Sequence, residues 1–232
     1  VVIFAGGLST QLEGEEMPVN YPGFKGGDRT DIQLPEVQRH CLQALKAAGK
    51  KVIFVNCSGS AIGLVPETES CEAILQAWYG GESGGQAVAD VLFGDYNPSG
   101  RLPFSYHKSM GEIVLYDRKP TEEVREVFND NINTGYDPLY PFGYGLSYTT
   151  FSYSGLTLST TTLNATGSMT VTLQVKNTGS RAGKHTVELY TRDLYASITP
   201  NMRRLRAFEK ISLAPGESKE VRFTLTKDDL AF

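Results

Sequence analysis

The chain has 232 residues, 40 % of them hydrophobic and 21 % charged, which suits one or two globular domains with full cores. No run reaches the ~18 apolar residues of a membrane span, and no basic stretch followed by a short apolar one marks a signal peptide. The formal charge of −4 is uneven: residues 1–150 carry 11 basic against 19 acidic side chains, net −8, and residues 151–232 carry 11 against 7, net +4. An acidic chain argues against nucleic acid as a partner, and the opposite signs suit two modules that dock.

Val1-Val2-Ile3-Phe4-Ala5 reads as a strand buried on both faces, and a beginning inside such a strand suggests a cut. A long polar, Gly-rich loop, residues 6–33, follows. Pro35 suits a first helical turn; Val37, Cys41, Leu42, Leu45 and Ala48 recur at helical spacing, and Gly49 stops the helix. Lys51–Asn56 is a second buried strand and Ala73–Trp78 a third, before a Gly-rich turn and a helical segment Gln86–Phe93. This order predicts an α/β domain whose sheet is mostly parallel and covered by helices. Ligands of such sheets bind beyond the carboxyl ends of the strands, where loops 6–33 and 79–85 depart.

Residues 96–150 lack periodicity but are rich in Pro, Gly and Tyr; the aromatic rings argue against disorder and for a segment that wraps the α/β domain and ties the modules together. From Phe151 the pattern changes to alternation: Met169–Val175, Thr186–Tyr190 and Glu220–Leu225, punctuated by Asn177-Thr178-Gly179 and Ala214-Pro215-Gly216. This predicts a β-sandwich of immunoglobulin or fibronectin III type. About five strands are evident where such a sandwich needs ~7, so this module too is expected to be cut. Arg203, Arg204 and Arg206 read as a solvated face. The expected layout is an α/β domain over residues 1–105, an irregular linker over 106–150 and a β-sandwich over 151–232.

Cys41, Cys57 and Cys71 form no CxxC pair. Cys41 on the helical stripe and Cys57 at a strand end read as small buried hydrophobes, with a disulfide between two of the three left open. His40, His107 and His185 lack metal-ligand spacing, so neither a metal nor a cofactor is expected. Gly81-Glu82-Ser83-Gly84-Gly85 matches the nucleophile elbow G-x-S-x-G, with Asp117 and His185 as the available partners. His185 belongs to the other module, however, and the plainer reading is a turn where backbone approaches backbone. In loop 6–33, Glu13, Glu15 and Glu16 repel one another, which should raise at least one pKa, as a general acid requires. Arg29 can hold another carboxylate ionised or bind a hydroxylated substrate. The alternative is a solvated acidic loop.

The stretch Gly6–Glu15 with Gly27-Asp28-Arg29 and Leu34-Pro35 resembles the second domain of family 3 glycoside hydrolases. Gly80–Pro103 is similar to that family's longest signature, and Tyr140–Phe151 to its junction into a fibronectin III-like module. The resemblance implies a retaining β-glycosidase that acts in two steps. An aspartate on a preceding (β/α)8 barrel attacks the anomeric carbon; a glutamate from the acidic loop protonates the leaving oxygen and then activates water. The alignment favours Glu15 as that general acid/base, with Glu13 as runner-up and Glu16 and Arg29 as substrate-binding neighbours. The finer resemblance, in the Leu-Glu-Gly-Glu-Glu loop and Tyr195–Pro200, is to bacterial β-xylosidases acting on xylo-oligosaccharides. β-Glucosidase and α-L-arabinofuranosidase activities stay open. The expected partners are an oligosaccharide and the absent barrel, without nucleic acid or membrane, and a periplasmic or secreted location is expected over a cytoplasmic one. A reading from another class, a non-catalytic carbohydrate-binding or structural module, would need a row of exposed aromatics, for which Tyr190 and Tyr195 are too few.

Overall fold

The computed structural model describes residues 1–13, 17–26, 28–109, 138–195 and 203–231. They form two compact units, one of Val1–Asp90 with Pro103–Phe142, the other of Val91–Leu102 with Gly143–Phe232.

The first unit is an α/β domain. Its three-stranded parallel sheet has the order β1 (Val2–Gly7), β5 (Val52–Cys57), β6 (Ala73–Gln76). β5, in the middle, is the strand buried from both sides: Val52, Phe54 and Asn56 are inaccessible and Val55 nearly so. β1 departs from expectation. It is an edge strand, and Ile3 is 48 % exposed because no described element covers that face. Its other face carries Phe4, tilted against Phe54 at 5.9 Å between ring centroids.

Helix α1 (Glu36–Ala47) packs on β1 and β5, with Pro35 at its N-cap. Only Leu42 of the expected stripe is fully buried; Val37 is 68 % exposed, and Cys41 is exposed rather than buried. The reason is Gln38. Its amide accepts from the Gly7 N–H (2.8 Å) and donates to the Gly7 carbonyl (2.8 Å), so a polar residue docks the helix and turns Val37 and Cys41 outward. Cys57 is half-buried, and all three thiols are free.

A short helix α2 (Val65–Ser70) links β5 to β6. β6 ends at Gln76, two residues before the expected limit, because Trp78 takes a left-handed backbone (φ 56°). α3 (Gly84–Phe93) follows. Within loop 6–33, a small antiparallel sheet of β2 (Asn20–Tyr21), β3 (Phe24–Lys25) and β4 (Asp28–Arg29) gives local order where only a loop was expected.

The second unit is a β-sandwich. β7 (Phe151–Leu158), β8 (Ser168–Asn177) and β11 (Ser218–Thr226) form one sheet in the order β11-β8-β7; β9 (Gly183–Thr191) and β10 (Arg204–Leu213) form the other. All pairings are antiparallel. Alternate residues meet between the sheets: Val171, Leu173 and Val175 of β8 face Val187, Ile211 and Leu213, with Val221, Phe223 and Leu225 beside them. The predicted alternating runs supply seven of these nine residues; Ile211 and Leu213 come from β10, which no predicted run covered. Arg204 and Arg206 lie on β10, and a last turn of helix, α4 (Lys227–Leu230), starts in a capping box on Thr226 and Asp229.

Asn177, fully buried at the end of β8, organises the adjoining turn. Its Nδ2 donates to the Arg181 and Leu213 carbonyls (2.8 and 3.1 Å), and its Oδ1 accepts from Thr149 Oγ1 (2.7 Å) and the Gly179 N–H (3.1 Å). A buried amide with this many partners fixes the register of the segments it joins.

Candidate active site

The carboxyl ends of β1, β5 and β6 lie along one edge of the sheet, as parallel pairing requires, and the chains leaving them build a cleft of about 410 Å³. It is lined by Thr10, Glu13, Arg29, Gly59, Ser60 and Tyr79. β1 leaves through Gly7, whose φ of +126° suits glycine alone. A Cβ there would lie 1.9 Å from the Cys57 carbonyl oxygen, so the two strands part at a point where no side chain fits. The chain then turns at Ser9, whose carbonyl accepts the N–H groups of Leu12 (3.0 Å) and Glu13 (3.2 Å).

Glu13 is the centre of the cleft's hydrogen bonding. Its carboxylate accepts from the Gly59 N–H (2.7 Å), the Ser60 N–H (3.1 Å), the Ser60 hydroxyl and the Tyr79 hydroxyl. Burial alone would push its pKa up. Hydrogen bonds from Ser60, Tyr79 and the Gly59 and Ser60 backbone outweigh burial and hold it below the ordinary glutamate value. Burial, then the bond to Glu13 and its charge, push the Tyr79 phenol up, so Tyr79 is a protonated donor.

Arg29, on β4, closes the other side. Its Nη1 donates to Ser60 Oγ (2.9 Å) and the Ala61 carbonyl (2.8 Å), its Nε to the Asp31 carbonyl (3.2 Å), and the guanidinium lies 5.7 Å from the Phe24 ring centre. Burial draws its pKa down, with the charges of Glu13 and Asp31 opposing. Its Nη2 is buried without a partner among the described residues, so both of its N–H groups are left for further acceptors.

Beneath the cleft lies a polar layer. Asn56 Nδ2 donates to Gln76 Oε1 (2.5 Å) and Ser58 Oγ (3.2 Å), and Ser58 Oγ donates to the Ser60 carbonyl (2.9 Å). It fixes the backbone of residues 58–60, which presents two N–H groups to Glu13.

Of the residues singled out by sequence, Glu13 and Arg29 meet in this cleft; Glu15 and Glu16 lie outside the described residues. Gly59, Ser60 and Tyr79 were not foreseen. The rule that pointed to the loops after β1 and β6 applies equally to the one after β5, and would have found Ser60.

The alternative at Gly81–Gly85 resolves as a backbone turn. A Cβ on Gly80 would sit 2.9 Å from Gly84 Cα, and Ser83 is exposed at the start of α3. His185, in the other unit, has both ring nitrogens engaged, Nδ1 with Arg101 Nη2 (3.2 Å) and Nε2 with the Tyr153 hydroxyl; Asp117 lies outside the described residues.

Comparison with known proteins gives consistent matches. The glycosyl hydrolase family 3 C-terminal domain matches residues 1–148, and the fibronectin type III-like domain matches residues 185–232. A xylan 1,4-β-xylosidase of Xylanibacter ruminicola is 50 % identical over 231 residues, covering 100 % of this chain and 26 % of that enzyme. A periplasmic β-glucosidase of Salmonella typhimurium is 43 % identical over 219 residues, 90 % of this chain and 28 % of its own length. The crystal structure of a Bifidobacterium adolescentis β-glucosidase superposes with a TM-score of 0.84 at 29 % identity, covering 100 % of this chain and 34 % of that one. The chain thus spans between 26 and 34 % of these relatives' length.

Proposed function

Since the chain belongs to glycoside hydrolase family 3, we propose that it supplies the general acid/base to a retaining exo-β-glycosidase whose nucleophilic aspartate lies on a separate barrel domain. The observation that carries the assignment is the state of Glu13. A carboxylate that already accepts four hydrogen bonds, with its pKa held low, makes a poor proton donor. With Glu13 set aside, the family resemblance favours Glu15, two residues along, as the group that shuttles the proton. Arg29, whose Nη2 has no partner among the described residues, suits a sugar hydroxyl or a neighbouring carboxylate such as Glu16.

In the first step the aspartate attacks the anomeric carbon, the glycosidic bond breaks, and Glu15 gives its proton to the departing oxygen. In the second, the Glu15 carboxylate takes a proton from water as the water oxygen displaces the aspartate, restoring both groups. The proposed substrate is a xylo-oligosaccharide, cleaved from its non-reducing end at a β-1,4-linked xylose; the Xylanibacter relative supports this. A β-glucosidase is the second reading, favoured by the Salmonella and Bifidobacterium relatives, and the former's periplasmic designation supports an extracytoplasmic site of action.

The test is made on the full-length enzyme. Glu15→Gln should lose nearly all activity on aryl β-xylosides with poor leaving groups, and azide should restore turnover on activated ones. Azide rescue of Glu13→Gln in its place would reverse the assignment. Comparing aryl β-xyloside with aryl β-glucoside decides the sugar. The 232-residue chain by itself should release nothing from an aryl β-xyloside, because it carries one of the two carboxyl groups the reaction needs.

A further inference from the structure

Glu13 is bound by donors from two other strand ends, 46 to 66 residues away along the chain. We propose that Tyr79 and Ser60 are positioning residues: by clamping the Glu13 carboxylate they fix the start of the loop that carries the acid, and so govern how well a reluctant leaving group is protonated. The inference rests on the reading of Glu15 as the acid/base.

The geometry dictates the direction of each bond. Arg29 Nη1 donates to Ser60 Oγ at 2.9 Å, so the Ser60 hydroxyl proton is left to point at Glu13. The Tyr79 hydroxyl has one proton and two acceptors in reach, Glu13 Oε2 and the Leu8 carbonyl (3.0 Å); the ionised carboxylate is the stronger. Tyr79 thus touches both the beginning and the end of the turn at residues 8–13. Room for this is made at Gly59, where a Cβ would lie 3.0 Å from Tyr79 Cε2 and 3.2 Å from Glu13 Oε2.

The backbone next to Tyr79 is strained. Trp78 holds φ at 56°, a left-handed conformation that a non-glycine residue keeps only where its surroundings enforce it. Its ring is pinned edge-on to Phe104, 5.5 Å between centroids at 81°. The turn at Trp78 delivers the phenol to Glu13.

Two residues of chain span at most ~7 Å, so an anchor at Glu13 limits where the Glu15 backbone can go. A general acid works only within hydrogen-bond reach of the oxygen it protonates, and a displacement of ~1 Å can cost ~100-fold. Loosening the clamp should therefore hurt most when the leaving group needs a proton.

The experiment uses the full-length enzyme, Tyr79→Phe and Ser60→Ala, and a series of aryl glycosides from 2,4-dinitrophenyl to unsubstituted phenyl. kcat/KM reports the first step. In both variants it should fall about tenfold or more for the phenyl glycoside and less than about twofold for the dinitrophenyl glycoside. A loss that is equal across the series, or no loss, overturns the inference. Glu15→Gln assayed with azide separates the two ideas. Rescue with a uniform Tyr79→Phe defect sinks the clamp alone; absence of rescue sinks the acid/base assignment beneath it.

Discussion

The histidine of the sandwich makes a quantitative prediction about acid. Arg101 can only donate, so its bond to His185 Nδ1 assigns that nitrogen as acceptor and puts the ring proton on Nε2, toward the Tyr153 hydroxyl. Protonation would place a second N–H against the guanidinium, on a ring stacked 4.3 Å from Phe151. Burial first, then the Arg101 charge, draws its pKa from 6.5 down to about 4. The folded value lies below the unfolded one, so between them the unfolded chain binds more protons. This contribution to stability is therefore present above pH ~6.5, declines toward pH ~4 and stays lost below. At ~1.4 kcal/mol per pH unit the full effect is about 3 kcal/mol; the ring is half-exposed, and solvent screening reduces this to about 1 kcal/mol. Ring-proton NMR should show His185 titrating near 4. Amide exchange at Val187, in the core of β9, should show protection falling by about 1 kcal/mol between pH 7 and 4.5, with His185→Gln removing that dependence. Titration near 6.5, or the same dependence in the variant, would refute the reasoning.

Two further outcomes are expected. Gly7→Ala forces a methyl group to within 1.9 Å of the Cys57 carbonyl at a φ of +126°, and should destabilise the α/β domain by about 3 kcal/mol or more in thermal unfolding; a neutral result would mean the β1–β5 exit is misplaced. A thiol reagent at pH 8 should modify exposed Cys41 first, with Cys71 slowest because burial raises its pKa to about 11; preferential reaction at Cys71 would contradict its surroundings.

Periodicity made the parallel sheet and the sandwich core legible: strands at 52–57 and 73–76 and the alternating residues of β8, β9 and β11 lie where the pattern predicts. It placed α1 but misjudged its buried face, because Gln38 counts as polar in any pattern, yet its amide completes the hydrogen bonds of Gly7 and so belongs to the packed face. The two-residue strands β2, β3 and β4 are too short to show a period. The cleft was half legible. Three neighbouring glutamates attract attention; Ser60 stands in a bland Cys-Ser-Gly-Ser-Ala run and acquires meaning only when β5 is set beside β1. Spacing supplies no means of ranking Glu13 against Glu15, and it hides the donors that surround Glu13 in the fold.

Trp78 is the only tryptophan in the chain. It abuts Tyr79 in sequence and lies edge-on to Phe104, in the α/β unit. Its fluorescence from the isolated chain therefore has one address, at the rim of the cleft. A ligand entering the cleft, a change in the ionisation of Glu13 or a slip of the Tyr79 ring would shift the colour or yield of that emission, with no label attached. The same strained turn that seats the phenol also gives the cleft its own optical gauge.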